Sequence, residues 1–298
     1  MNYICHLLIY LNIYVIMALA LNIVVGQCGL LTLAHAGYFA IGSYAYAVGT
    51  LYLEWGFAPC VFLGVGIAVV LSTALSLPAC RFKGDSFVMM SLAVQILIFS
   101  ILNNWVDPQH PHSWSNLTNG SYGLAGIPIP VIFGFKFDTL ARLAGLFSLL
   151  ALGCIVVAHS LLFSPWGRLL TAMRDDELAL RGLGKQIWLP KVEAIAISCA
   201  MCALAGAMYA SYANYVNPNI ASLDESILIL CMVLIGGIGN IRGPLVGALV
   251  ILMIPEALRF LQLPSSATPN IRLLVYGLLL ILIIHFRPRG LAGEYRVS

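Results

Sequence analysis

Nine long runs of this chain are almost without charge. They lie at about residues 4–25, 30–53, 57–78, 86–102, 140–163, 191–213, 225–241, 244–262 and 271–286. A membrane-spanning helix needs about 20 mostly apolar residues, because the bilayer core offers no water to satisfy backbone polar groups. Repeated runs of this kind leave one architecture open, a polytopic helical bundle. Composition agrees: 9% of the 298 residues are charged and 61% are hydrophobic, with a mean hydropathy of +0.95. Soluble domains carry about 25% charged residues. So few charges cannot dress a surface that faces water, which excludes a soluble enzyme, a nucleic-acid binder and a disulfide scaffold. The expectation is an all-α membrane bundle of 8–10 spans in a single domain over residues 1–298. The count is a range because 225–241 and 271–286 are short for straight spans. Each reads either as a tilted helix or as a re-entrant element.

Charge placement gives an orientation. Residues 1–25 carry no Lys or Arg, so the basic region of a secretory signal is missing and the first run reads as a retained span. The segment 103–138 has a single Lys, Lys136, near its end; its Lys- and Arg-free stretch, 103–135, has one acid, Asp107. Arg168, Arg174, Arg181, Lys185 and Lys191 crowd the segment 164–191, Arg81 and Lys83 the short 79–85 loop, and Arg287, Arg289 and Arg296 the tail. Lys and Arg favour the cytoplasmic side. Nine spans then thread consistently: N-terminus outside, 103–138 periplasmic, 164–190 and the C-terminus cytoplasmic.

Several kinds of chemistry find no motif. Gly184-Lys185 lacks the upstream glycine and the following Ser or Thr of a phosphate-binding loop. No row of intramembrane acids forms a proton relay. Glu256 stands three residues from Arg259, which reads as a local pair. The eight cysteines, Cys5, Cys28, Cys60, Cys80, Cys154, Cys199, Cys202 and Cys231, fall in or beside spans and read as small apolar residues. Cys199 and Cys202 have no His or acid to complete a metal site. His110 and His112 read as solvated loop residues. Asn116-Leu-Thr118 and Asn119-Gly-Ser121 match the glycosylation sequon, a pattern that Asn- and Ser-rich loops produce easily.

Two apolar runs are broken by glycine at matched spacing. Gly26 and Gly29 are followed by Gly37; Gly236, Gly237 and Gly239 are followed by Gly247. In each case three residues and then eight separate the glycines, at an offset of 210 residues. Transporters carry internal repeats whose interrupted helices line a path. Six crossings lie between the two breaks, which makes the repeats parallel unless a short element is re-entrant. Candidate path residues are Asn22, Gly26, Gly29, His35, Gly37, Tyr38, Gly236, Gly237 and Gly239. On a helix His35 and Tyr38 share a face. They read as lining a route for a small polar solute, or His35 as bonding to a neighbouring helix.

Asp175, Asp176 and Glu177 open a short helix where negative charge suits the N-terminal dipole, and Gly182 or Gly184 ends it. The stretch from Glu177 through Ala179, Gly182 and Gly184 to Leu189-Pro190 resembles the coupling loop of ATP-binding-cassette importer permeases. The wider chain resembles the branched-chain amino acid permeases of M type. Three blocks carry the likeness: Leu21 to Tyr44, Ala172 to Gly184, and Ala205 to Pro218 continuing through Val233 to Pro244. Gln27-Cys28 departs from the family's usual aromatic-small pair. The resemblance implies a permease without its own ATP site and with no cofactor, ATP and magnesium residing on partner subunits. The implied partners are a homologous permease, two cytoplasmic ATPase subunits, a periplasmic solute-binding protein and membrane lipid, in a bacterial inner membrane. Arg174, Asp176, Glu177, Ala179, Gly182, Gly184, Leu189 and Pro190 are the implied ATPase-coupling residues. The implied solute is a branched-chain or other small neutral or zwitterionic amino acid. Urea, short amides and a stand-alone secondary transporter are the alternatives.

Overall fold

A computed structural model describes residues 2–79, 84–107, 116–132, 135–259, 268–287 and 290–292. Nine helices of 14–26 residues are found among them: α1 (Asn2–Asn22), α2 (His35–Leu51), α3 (Phe57–Ala79), α4 (Asp85–Asn104), α5 (Leu140–Phe163), α8 (Trp188–Ala213), α9 (Leu223–Gly236), α10 (Arg242–Arg259) and α11 (Thr268–Phe286). Two shorter ones, α6 (Pro165–Asp175) and α7 (Glu177–Gly182), join α5 to α8. Among the described residues, five segments are long and apolar enough to cross a membrane: Tyr3–Gln27, Phe57–Leu77, Asp85–Asn104, Leu140–Phe163 and Trp188–Ala213. The chain is an all-α polytopic membrane bundle.

Side-chain bonds fix the directions of the helices. Ser198 lies at Ala20 and Tyr212 at His6, so α1 and α8 are antiparallel. His35 meets Ser198 and Ser43 meets Gly206, so α2 runs with α8. Asn12 bonds to Ser148 at 2.9 Å on the parallel α5. Consecutive long helices therefore alternate. One end of the bundle gathers α6, α7 and the turns after α1 and α9; Arg168, Arg174, Arg181 and Lys185 make it the basic end.

The opposite end carries the connections between α4 and α5 and between α8 and α9. There β1 (Leu124–Ala125) pairs antiparallel with β4 (Tyr215–Val216), and β2 (Val131–Ile132) with β3 (Phe135–Lys136). Thr118 is tucked under the end of α4, its hydroxyl 2.7 Å from the Leu102 carbonyl and 2.9 Å from that of Trp105.

Helices α1 and α8 form the centre, each 72% buried over its span, whereas α3, α4 and α5 are 22–33% buried and peripheral. The tightest crossing is α2 on α8. A Cβ at Gly42 would strike the backbone of Ala203, and one at Gly206 the backbone of Phe39. Small residues allow this approach, the usual device where no hydrophobic gradient drives helices together.

Local chemistry sets the ends of the elements. The Ser164 hydroxyl caps α6 by accepting from Gly167 N, with Pro165 in the first turn. Several boundaries differ from the sequence reading. Helix α2 begins at His35 rather than near residue 30, because Cys28–Ala34 turns the chain. Helix α9 stops at Gly236, five residues early, at a glycine turn. Leu189 and Pro190 belong to the first turn of α8 rather than to the connector 164–190. Both glycine breaks are turns at the basic end rather than interruptions within one helix. Glu256 accepts from the Tyr3 hydroxyl; the side chain of Arg259 lies outside the described residues, as do Arg81, Lys83, Cys80, His110 and His112.

Candidate functional site

The two glycine breaks meet. The last turn of α1 widens into a π turn over Ile23–Gln27, a distortion often found at functional positions. Asn22 Nδ2 donates to the Asn240 carbonyl at 2.9 Å, and Gly239 N donates back to Asn22 Oδ1 at 3.3 Å. Gln27 Nε2 donates to the Gly239 carbonyl at 2.8 Å. The first break is thus laced to the second through two buried amide side chains, Asn22 and Gln27. These contacts satisfy backbone groups that the broken helices leave without partners.

The second break is closed from its other side by the chain near its end. Leu291 N donates to Ile235 O at 3.0 Å and Ala292 N to Gly236 O at 2.8 Å. Asn240 Nδ2 donates to the Ala292 carbonyl, while Asn240 Oδ1 accepts from Gly243 N at 2.7 Å. Gly237 and Gly239 hold φ of 109° and 99° here. Gly236 packs on Gly243, and Gly247 on Met232, so α9 and α10 form a close antiparallel hairpin.

Helix α6 joins the same junction. Thr171 Oγ1 donates to Gln27 Oε1 at 2.8 Å. Arg174 donates to the Gly26 carbonyl at 2.5 Å and pairs with Asp175 at 3.4 Å. Its side chain is only 12% exposed and lies along Gly29, where φ is +68° and an added Cβ would come 2.7 Å from Arg174 Cγ. Gly29 is therefore required twice, by conformation and by contact.

The connector continues into α7. Asp176 caps it, accepting from Leu178 N at 2.9 Å and Ala179 N at 3.0 Å. Glu177 faces inward: it pairs with Lys191 of α8 at 3.0 Å, a lysine 6% exposed, and with Arg181 at 2.7 Å. Gly182 ends α7, and Gly184 follows in the left-handed region with φ +72°. The outer face is apolar: Leu178 is 70% exposed and Leu183 75%, with Trp188 and Leu189 beside them. Pro190 is buried.

His35 and Tyr38 lie one helical turn apart and line a small cavity between α2, α3, α4 and α8. Ser72, Ser76, Ser91 and Thr32 add hydroxyls to its wall. Ser198 Oγ sits 2.5 Å from the Ala20 carbonyl and 2.6 Å from His35 Nε2. A hydroxyl has one hydrogen, and here it goes to the carbonyl, so Ser198 accepts and Nε2 is the protonated nitrogen. His35 Nδ1 is then an acceptor, buried in the cavity wall without a protein partner. The bond to a neighbouring helix and the polar lining are both present in this one residue. A cavity of about 30 Å³ has room for one water.

Gly37 lies apart from that cavity, its N–H donating to Gln95 Oε1 at 2.8 Å; Gln95 Nε2 in turn donates to Ala221 O at 2.6 Å. Sequence reasoning missed Thr171, Asn240 and Gln95 as organisers. The available signal was an uncharged polar residue set in or beside an apolar run, next to a glycine.

The family model for the permease component of branched-chain amino acid transport systems matches residues 3–284. The high-affinity branched-chain amino acid transport system permease proteins LivM of Escherichia coli strain K12 and of Salmonella typhimurium strain LT2 are each 31% identical, over 94% of this chain and 67% of their own length. The probable branched-chain amino acid transport permease protein LivM of Methanocaldococcus jannaschii is 23% identical, over 97% of this chain and 92% of its own. No solved structure matches the chain.

Proposed function

This chain belongs to the permease family of branched-chain amino acid transport systems, and from that premise we propose that it forms part of the translocation path of an ATP-driven importer. The solute we assign is a branched-chain amino acid. Partner ATPase subunits bind ATP and magnesium, and this chain holds neither. A homologous permease completes the path, and a soluble binding protein delivers solute to the end that carries the two β-ladders. The basic end faces the cytoplasm of a bacterial inner membrane, in keeping with the preference of Lys and Arg for that side.

The bonded junction of α6 with both glycine breaks carries this reading. A movement imposed on α7 reaches α8 through Glu177–Lys191 and reaches α6 directly across Asp176. Helix α6 passes it to α1 through Arg174 and Thr171, and Gln27 passes it to the α9–α10 turn. Coupling of this kind needs an element with two arrangements that both sites bias, and two helices ending in adjoining turns supply one. In this scheme Leu178 and Leu183 make the ATPase contact, and Glu177 and Asp176 hold α7 in shape behind it.

The test is reconstitution of the chain with its cognate permease, ATPase pair and binding protein in lipid vesicles. ATP-dependent uptake of leucine, isoleucine or valine is the expected result. Leu178→Asp combined with Leu183→Asp is expected to release the ATPase from the membrane complex. Uptake of urea or a short amide in place of amino acids would reject the solute, and uptake without the ATPase would reject the importer.

A further inference from the structure

A second cavity, of about 130 Å³, lies on the other side of α2, lined by α1, α2, α8, the 3-10 turn Pro218–Ala221 and the start of α9. Its wall has three kinds of group. Glu225 supplies a carboxylate, Tyr10, Tyr14 and Tyr209 supply aromatic faces, and Ile13, Met17 and Ile220 supply aliphatic surface. A comparable engineered apolar cavity of about 150 Å³ admits benzene, so the space takes a small organic solute.

The carboxylate suits the first turn of α9, but its capping bond is not made. Ser222-Leu-Asp-Glu225 is a capping-box sequence, in which the acid at the third helical position folds back onto the cap's own N–H. The first half forms: Glu225 N donates to Ser222 Oγ. The second half does not, because Ser222 N donates to the Asn219 carbonyl at 3.0 Å. The carboxylate is left to face the cavity, with no cationic side chain paired to it among the described residues. Glu225 is half-buried, and a carboxylate partly withdrawn from water gains from a cationic partner.

The aromatic groups extend the cavity toward the mouth of the bundle. His6, Tyr10 and Tyr14 repeat every four residues on one face of α1, with ring centroids 4.9 and 6.2 Å apart. Tyr212 joins them, 5.8 Å from Tyr10, and Phe39 packs on Tyr209 at 5.5 Å. Aromatic faces attract ammonium groups within about 6 Å.

We propose that this cavity is an ammonium subsite for the transported amino acid: Glu225 accepts its ammonium group, Tyr14 and Tyr209 flank the charge, and Ile13, Met17 and Ile220 take the branched side chain. This rests on the amino-acid reading above and names where, within this chain, the solute is held. An uncharged solute such as urea can hydrogen-bond to the carboxylate but brings no charge to neutralise it.

The experiment uses the complete reconstituted importer, with initial uptake of radiolabelled leucine below saturation divided by the amount of assembled complex. Wild-type uptake comes first: its absence rejects the amino-acid reading itself. Given wild-type uptake, Glu225→Gln is expected to lower it about tenfold or more, the range for loss of a charged hydrogen-bond partner. Glu225→Asp, which keeps the charge, is expected to recover most of it. Tyr14→Phe keeps the ring and the rate; Tyr14→Leu loses both. Equal rates for Glu, Asp and Gln at position 225 overturn the proposal. If Glu225→Gln fails to assemble, Ile220→Trp fills the cavity from its wall. Block of uptake then supports the site, and an unchanged rate overturns it.

Discussion

Arg174 donates to the carbonyl of Gly26, which lies 148 positions earlier in the chain. One guanidinium thereby joins the connector between α5 and α8 to the break that follows α1. Hydrogen bonds from charged groups contribute about 1.5–3 kcal/mol, and leaving a buried carbonyl unsatisfied costs a similar amount. Arg174→Met is expected to lower leucine uptake about tenfold while ATP hydrolysis by the assembled complex continues. The ratio of solute moved to ATP consumed is the quantity to measure.

Gly29 separates a conformational cost from a steric one. Gly29→Ala places a side chain at φ +68° and against Arg174. The left-handed conformation alone costs about 1–2 kcal/mol, and the clash adds to it. Arg174→Ala in the same chain is expected to relieve the steric part and leave the conformational part. Thermal unfolding of the two single variants and the double variant in detergent measures the non-additivity.

Glu177 and Lys191 form the connector's most enclosed ion pair among the described residues, with side chains 19% and 6% exposed. Removing one partner of a buried pair costs about 3 kcal/mol, because the other charge stays behind. Glu177→Gln is expected to destabilise the basic end by about that much and to speed amide exchange in α7. Glu177→Gln with Lys191→Met is expected to recover most of the loss. The Glu177–Arg181 bond does not compensate, since Arg181 is 55% exposed and surface pairs contribute little.

The protonation pattern of His35 is open to direct test. Ser198→Ala removes the acceptor of Nε2 and the donor to Ala20 O together. It is expected to cost about 1–3 kcal/mol, the desolvation cost of a buried group left unsatisfied. In the unaltered protein, ¹⁵N spectra of labelled histidine are expected to show His35 neutral and protonated at Nε2. A dominant Nδ1-protonated signal would overturn the assignment.

Gln95 ties α4 to α2 and to the turn before α9, accepting from Gly37 N and donating to Ala221 O. Gln95→Leu orphans both groups and is expected to cost about 2–4 kcal/mol, each group contributing about 1–3. A drop in the melting temperature of the purified chain is the readout.

The sequence reveals the bundle because the cost of exposing charge or backbone to lipid is large and local. Runs without charge therefore read directly as spans, and Arg168 to Lys191 read as one end. The helix α7 was legible for the same reason: Asp176 at its start and Gly182 at its end act within a few residues. The matched spacing marked both glycine breaks, and Gly26 lies against Gly239 where they meet. Three features were not legible. Arg174 reads as a docking charge, but its partner is a backbone carbonyl brought near only by the packing of α1 and α5. Glu177 reads as an ATPase-coupling residue, but α8 places Lys191 beneath it and the carboxylate turns inward. Glu225 carries no signal in the sequence, because the cavity it lines exists only once α1, α8 and α9 pack. Each turns on a contact whose other half is a backbone atom or a residue set in place by long-range packing.

The clasp between the end of the chain and the α9–α10 turn has a consequence for biogenesis. The carbonyls of Ile235 and Gly236 are among the last of α9 and have no acceptor role inside the helix. Their partners are Leu291 and Ala292, which leave the ribosome more than fifty residues later. Until then the junction beneath α6 stands open at one side, and the turn is held by the glycine contacts and by the bonds of Asn22, Gln27 and Asn240 Oδ1. The junction is thus closed by a segment made after every helix it joins, so its final shape waits on Leu291 and Ala292.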